Sequence, residues 1–293
     1  MSPAAGDAGS ALVPLVALDT LWFQVAGTLC DLACTHCLVS SSPSNRTHAM
    51  LDLATFRAAL AEARAVGVRE YYFTGGEPFL HPRLETMLEE TLLQGPATVL
   101  TNGLRIDAAR AARLAALAAR SRYSLDLRVS LDGWDAASND AIRGPGTFAR
   151  VVAGIGALAA AGMNPVLTVT EVRPENATAA GRARFFALLS ELGVDRPRLK
   201  VLPLFAIGAR AGSGESDSVF RPLRATDAPG GSFEHLQCAS CRVVTEEGVW
   251  VCPILVNEPA AKMGERLADT LRPFPLAHRA CWTCHLSGVS CRT

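Results

Sequence analysis

Lysine is nearly missing from this 293-residue chain: only Lys200 and Lys262 occur, and the other basic residues are arginines. Net charge is missing too, because 28 basic and 28 acidic residues cancel. A neutral chain has no electrostatic pull toward nucleic acid or anionic lipid, so neither is expected as a partner. Long apolar runs are absent. The longest, residues 151–163, carries three glycines and falls short of the ~20 residues a membrane-spanning helix needs. The apolar patch at residues 11–18 has no Lys or Arg before it, which argues against a secretory signal and leaves a cytoplasmic protein as the expectation. Hydrophobicity itself is not lacking. At 49% hydrophobic and 19% charged, the chain is not disordered, and its length suits one large or two small domains.

Cysteine is absent from the 200 residues between Cys37 and Cys238. All nine copies sit near the two ends: Cys30, Cys34 and Cys37, then Cys238, Cys241, Cys252, Cys281, Cys284 and Cys291. In a reducing compartment, clusters of this kind mean metal or catalysis more often than disulfides.

The cysteine-free middle alternates between two periods. Short β-type runs fall at residues 21–25, 71–73, 98–100, 127–131, 166–172 and 199–205. Between them, residues 53–66, 83–93, 107–120, 148–161 and 177–192 show apolar spacing near three and four. Parallel neighbours need crossovers, so this alternation predicts an α/β fold: a partial (β/α)6 TIM-like barrel. The expected boundaries are an extension at 1–20, the barrel at 21–207, a Gly/Ser/Asp/Pro-rich linker at 208–235 and a cysteine-rich module at 236–293. Chemistry in such folds gathers on loops leaving the strands' carboxyl ends. The cysteine trio, Gly75-Gly76-Glu77-Pro78, Thr101-Asn102-Gly103 and Asp132-Gly133 all fall there.

Cys30-x3-Cys34-x2-Cys37 puts three thiolates on one tight loop. Iron–sulfur clusters usually take four, so three around a four-iron cube leave one iron open to an outside molecule. A zinc site completed by another residue such as His36 is the alternative, although His36 adjoins Cys37 and both would have to reach one ion. With Gly75-Gly76-Glu77-Pro78 following the second strand, the trio resembles the radical SAM superfamily. Ser130-Leu131-Asp132-Gly133, Ile142-Arg143-Gly144 and Leu202-Pro203-Leu204 continue the resemblance in order, over residues 22–210.

That resemblance implies a [4Fe–4S] cluster on Cys30, Cys34 and Cys37, with S-adenosylmethionine (SAM) chelated by the open iron. Cleavage of SAM by an electron from a flavodoxin- or ferredoxin-type reductant then gives a 5′-deoxyadenosyl radical that takes hydrogen from substrate. Gly75, Gly76, Glu77 and Pro78 belong to the cofactor side, the glycines because bare backbone can approach the methionine amino group. Asn102, Ser130, Asp132 and Arg143 join that set, Ser130 and Arg143 toward the SAM carboxylate or ribose, and Leu204 flanks the adenine. His36 stands where such chains usually carry an aromatic residue near the adenine.

The six later cysteines resemble the Twitch and SPASM extensions of this superfamily, which imply auxiliary [4Fe–4S] clusters. Six are too few for a full two-cluster set. One complete cluster with two spare thiols is the first expectation, and two clusters with open sites the second. A zinc ribbon is the third, since paired CxxC is also zinc spacing. If the cube takes Cys238, Cys252, Cys281 and Cys284, then Cys241 and Cys291 are the spares, and one of them is a candidate hydrogen-atom donor. Glu171 and Arg210, at strand ends, are candidates for binding substrate or moving a proton, or for a plain ion pair. Trp22, Phe23 and Phe73 read as barrel core and His81 as helix-start packing.

Only about 20 residues precede the first strand, and the compact length resembles the aminocyclitol and aminoglycoside enzymes of the superfamily. Dehydrogenation or epimerisation of a sugar- or cyclitol-like small molecule is therefore the leading expectation. Modification of a ribosomally made peptide is the second, and an iron–sulfur electron carrier the non-enzyme reading. Pro253 stands where sulfatase-maturing relatives carry an aspartate, which argues against that activity.

Overall fold

The computed structural model describes residues 9–212 and 220–288, so Cys291 lies outside the described residues. Six strands run parallel and in sequence order across the sheet: β1 (Thr20–Gln24), β2 (Glu70–Thr74), β3 (Ala97–Thr101), β4 (Leu125–Ser130), β5 (Val166–Thr170) and β6 (Arg198–Leu202). The crossovers carry α1 (Leu53–Val66), α2 (Leu84–Thr91), α3 (Ala108–Ala119), α4 (Ala136–Arg143), α5 (Thr147–Ala160) and α6 (Ala179–Glu191). Asp52, Asp107, Asp135 and Thr178 each accept an amide at a helix start, satisfying donors that have no partner inside the helix.

Two departures from the sequence pattern have local causes. Helix α4 adds a sixth helix; its sequence AASNDAIR is short and polar on average, so few apolar residues mark it, and it is set by the Asp135 cap and by burial of Asn139, Ile142 and Arg143. Strand β5 stops at Thr170 and β6 at Leu202, short of the expected 172 and 205. Pro203 brings no N–H to extend the ladder.

Side chains alternate across each strand, and the two faces feed two cores. Leu21, Phe23 and Phe73 pack outward against the helices, while Trp22 and Tyr72 face inward, stacked at 4.4 Å.

The C-terminal module is not a separate body. β7 (Cys241–Thr245) pairs in parallel with β1, Thr20 opposite Cys241, and the hairpin partners β8 (Gly248–Trp250) and β9 (Lys262–Gly264) extend the same sheet. The full order is β9-β8-β7-β1-β2-β3-β4-β5-β6. The described part of the expected linker is also packed: Leu223 and Phe233 are buried in the inner core. The described part of the expected N-terminal extension belongs to the module as well. Leu12–Val13 pairs with Phe274–Pro275, and Ala11 exchanges backbone bonds with Leu223 and Leu276. α7 (Arg279–Ser287) closes the module. Among the described residues, no helix is long and apolar enough to cross a membrane.

Candidate active site

The loop between β1 and α1 carries Cys30, Cys34 and Cys37, none in a disulfide. The end of β2 grips it from below. Glu77 N donates to Leu29 O at 2.9 Å. A Cβ on Gly76 would fall 1.8 Å from that same carbonyl, and Gly75 has φ +137° with its Cβ position 2.8 Å from Ala26 N. Both glycines are therefore required by the approach of two protein backbones, a nearer constraint than the cofactor contact expected of them. From the other side, the hairpin turn of the C-terminal module holds the loop's exit: Glu246 accepts from Asp52 N, Glu247 from Ala49 N, and His48 bridges Glu247 and Asn257.

Donors converge on the three sulfurs. Leu32 N lies 3.4 Å from Cys30 Sγ, Asn102 Nδ2 3.7 Å from the same atom, Ser41 N 3.2 Å from Cys37 Sγ and Arg143 Nη1 4.0 Å from Cys34 Sγ. Burial pushes the Cys30 thiol up to about 12 and raises Cys34 as well, against the pull of Arg143. As bare thiols Cys30 and Cys34 are held protonated; bound iron would displace those protons, and the surrounding N–H groups would serve thiolates.

Behind the thiols stand two buried carboxylates. Glu77, fully buried, accepts from Phe79 N at 3.0 Å, Thr101 Oγ1 at 2.8 Å and Asn102 N at 2.8 Å. Burial raises its carboxyl to about 7, against those donors. It ties β2 to β3, so its oxygens point into the protein. Asn102, expected beside the cofactor, spends its side chain on Cys30, Asp31 and Leu104 N. Asp132, also fully buried, accepts from Thr170 N at 2.7 Å and stands 2.7 Å from Arg143 Nε and 3.2 Å from His36 Nε2. Burial lowers His36 to about 4 in spite of that carboxylate. Among the described residues, the buried His36 Nδ1 has no hydrogen-bond partner. His36, Asp132 and Arg143 thus form one unit, which the sequence names residue by residue but does not join.

Inside the barrel lies a cavity of about 210 Å³, lined among others by Trp22, Gln24, Cys37, Gly75, Arg128, Leu202 and Phe205. Leu202 and Phe205 take the place expected of Leu204, which is not among the lining residues. Arg128, 1% exposed, reaches Thr168 Oγ1 with Nε at 3.3 Å. It was not singled out from sequence, yet a signal exists. In β4, Asp126, Arg128 and Ser130 alternate with Leu125, Leu127 and Val129, whereas strands buried on both faces are usually apolar throughout. A polar inner face is the mark of a site. Glu171 follows β5, its N–H on Leu202 O, and does not line this cavity. Arg210 ends a turn whose Ala209 N donates to Cys37 O at 2.9 Å, and its charge bears on His36.

A second cavity gathers Cys238, Cys252, Cys281 and Cys284 among apolar neighbours including Leu236, Leu255 and Phe274. These thiols come from four separate positions: a turn before β7, the end of the hairpin, and two successive turns of α7. Cys241 is not in this lining. It lies fully buried with Sγ 3.8 Å from Val251 O, opposite Thr20 at the amino end of the strands. It does not line the central cavity either.

Among the described residues, no three Cys, His, Asp or Glu side chains converge as around one metal ion. Thiolates on a tetrahedral zinc must crowd to about 3.8 Å of each other, given Zn–S near 2.3 Å. Thiolates of a four-iron cube each take a different iron and stand further apart. Three thiols on one loop and four lining the second cavity are the donor chemistry of iron–sulfur clusters. Pro253 and Ile254 line both cavities, so one short stretch of backbone is the wall between them.

Comparison with known proteins adds four likenesses. The family model for the Radical SAM superfamily matches residues 25–176. Mycofactocin maturase MftC of Mycobacterium ulcerans is 37% identical over 134 residues, 45% of this chain and 34% of the relative. PqqA peptide cyclase of Gluconobacter oxydans is 33% identical over 172 residues, 57% of this chain and 45% of the relative. The chain thus spans less than half the length of either curated relative. Among solved structures, Streptococcus suis SuiB bound to precursor peptide SuiA superposes with a TM-score of 0.65 at 16% identity, covering 90% of this chain and 66% of that one. At that identity the likeness is one of fold.

Proposed function

Because this chain belongs to the Radical SAM superfamily, we propose that it oxidatively modifies a peptide, with the second cysteine cavity serving the oxidation. A [4Fe–4S] cluster and SAM supply a 5′-deoxyadenosyl radical that removes a hydrogen atom from substrate, and an auxiliary cluster supplies an acceptor for the second electron. Cys30, Cys34 and Cys37 would hold the first cluster, and Cys238, Cys252, Cys281 and Cys284 the second.

The observation that carries the oxidative reading is the shared wall, Pro253–Ile254, between the barrel cavity and the four-cysteine cavity. A substrate in the barrel is separated from the second site by two residues. The barrel residues would do the positioning. Arg128 offers a buried cation beside Gln24 and Thr74, suited to a carboxylate or backbone carbonyls. Trp22 and Phe205 exclude water from the apolar side. Asp132 and Arg143 hold the cysteine loop in register with the strand ends.

The peptide substrate rests on likeness to a peptide cyclase, and it reverses the preference for a sugar or cyclitol drawn from chain length. The test uses anaerobically reconstituted, reduced protein with SAM and a short peptide encoded beside its gene. The expected result is 5′-deoxyadenosine together with peptide that has lost two hydrogens or a larger oxidised fragment. Abundant 5′-deoxyadenosine with unchanged peptide, and turnover of a cyclitol instead, would overturn the peptide reading. No 5′-deoxyadenosine under any condition would remove the enzyme reading itself.

A further inference from the structure

Arg242, the second residue of β7, is 1% exposed; it does not line the four-cysteine cavity itself but reaches the backbone of Cys238, which does. Every described hydrogen bond of its guanidinium goes to a backbone carbonyl. Nη1 donates to Cys238 O at 2.9 Å and Cys241 O at 2.6 Å, Nε and Nη2 to Thr270 O at 3.2 and 3.0 Å, and Nη2 to Arg272 O at 3.0 Å. The charged or titratable groups that bear on it are the thiols of Cys241, Cys238 and Cys252, and Arg272, which repels it. No carboxylate is among them.

Arginine stays protonated in proteins, so this is a permanent buried cation. Burying one costs several kcal/mol unless an opposite charge stands near. Carbonyl dipoles solvate the guanidinium but do not neutralise it. Buried Arg143 solves the problem otherwise, with Asp132 beside it. For Arg242 the available anions are thiolates, and the cavity that Cys238 lines holds four thiols.

We propose that Arg242 is the built-in counter-charge of the auxiliary cluster and holds its reduction potential up. This rests on reading the second cavity as a cluster site. One-electron reduction adds one negative charge to a four-thiolate cube and moves no proton to or from Arg242. A fixed cation in a low-dielectric setting favours the more negative, reduced form. Arg242 is thus a positioning residue for electron acceptance.

The experiment takes the full chain with Cys30→Ala, Cys34→Ala and Cys37→Ala, so that only the second cluster is present, reconstituted anaerobically. Iron content comes first: no iron in this background would refute the cluster reading itself, before Arg242 is tested. The midpoint is then read by EPR-monitored redox titration with and without Arg242→Gln or Arg242→Lys. We expect the Gln variant, with iron retained, to fall at least tenfold in reduced-to-oxidised ratio at fixed potential, about 59 mV for one electron. The Lys variant should stay near the parent. An unchanged midpoint in the Gln variant, or an equal drop in both, would overturn the proposal in favour of a role in backbone bracing alone. If the Gln variant loads no iron while Lys does, the charge is required for the cluster and the proposal stands. If neither loads, shape rather than charge is at work and the proposal falls.

Discussion

Asp132→Asn removes one charge from the centre of the cysteine-loop support and almost nothing else. Asparagine keeps an oxygen for Thr170 N, which Asp132 Oδ1 accepts at 2.7 Å. What changes is the partner of Arg143, whose Nε lies 2.7 Å from Asp132 Oδ2 with the carboxylate fully buried. Breaking such a buried pair by neutralising one member costs about 3–5 kcal/mol, because the remaining charge stays desolvated. At roughly 2–4 °C per kcal/mol, melting should drop by roughly 6–20 °C. The damage should concentrate at the loop, since α4 also accepts Thr35 N through Ile142 O at 3.1 Å. Urea unfolding of anaerobic protein measures the cost, and a cycle with Arg143→Met separates the pair from its surroundings. Removing both charges leaves no unpaired ion, so the double variant should be more stable than the sum of the singles by about 1–3 kcal/mol. A single-variant cost below about 1 kcal/mol, with additive double-variant behaviour, would refute the reasoning.

The cysteines make a separable count. Protein with both sites loaded should bind about eight irons, and changing Cys30, Cys34 and Cys37 together to Ala should remove about four. Cys241→Ala should leave the count unchanged, because that thiol lies outside the second cavity's lining; loss of about four irons in that variant would make it a ligand. A pH dependence follows from Glu77, whose carboxyl burial raises to about 7. Between about pH 4.5 and 7 the native state then binds more protons than the unfolded one, so its contribution makes stability fall as pH rises, by about 2–3 kcal/mol. Glu77→Gln should lack that limb, so its deficit against the parent should shrink from pH 5 to pH 8 in urea unfolding. A deficit constant with pH would contradict it.

Much of the fold is readable locally. Strand and helix periods, the Asp107 cap and the alternation that demands crossovers all involve residues a few positions apart. So do the trio spacing and the placement of motifs on strand ends, which is why candidate residues for the first cluster and for SAM can be picked out one by one. Helix α4 escaped because it is short and polar on average, with only Ile142 as a large apolar residue. What no local pattern holds is the pairing of Thr20 with Cys241. That contact joins the module's strands to the barrel sheet, while Leu223 and Phe233 of the apparent linker pack into the core. Side-chain direction is likewise decided by packing. Glu77 and Asn102 turn toward the protein, and Cys241 is left at the strands' amino end. Four of the later thiols share a cavity because β7 docks beside β1 and α7 closes over the hairpin. Arg242 looks like an ordinary arginine among 26 in the sequence. Only burial, which depends on residues far along the chain, distinguishes it.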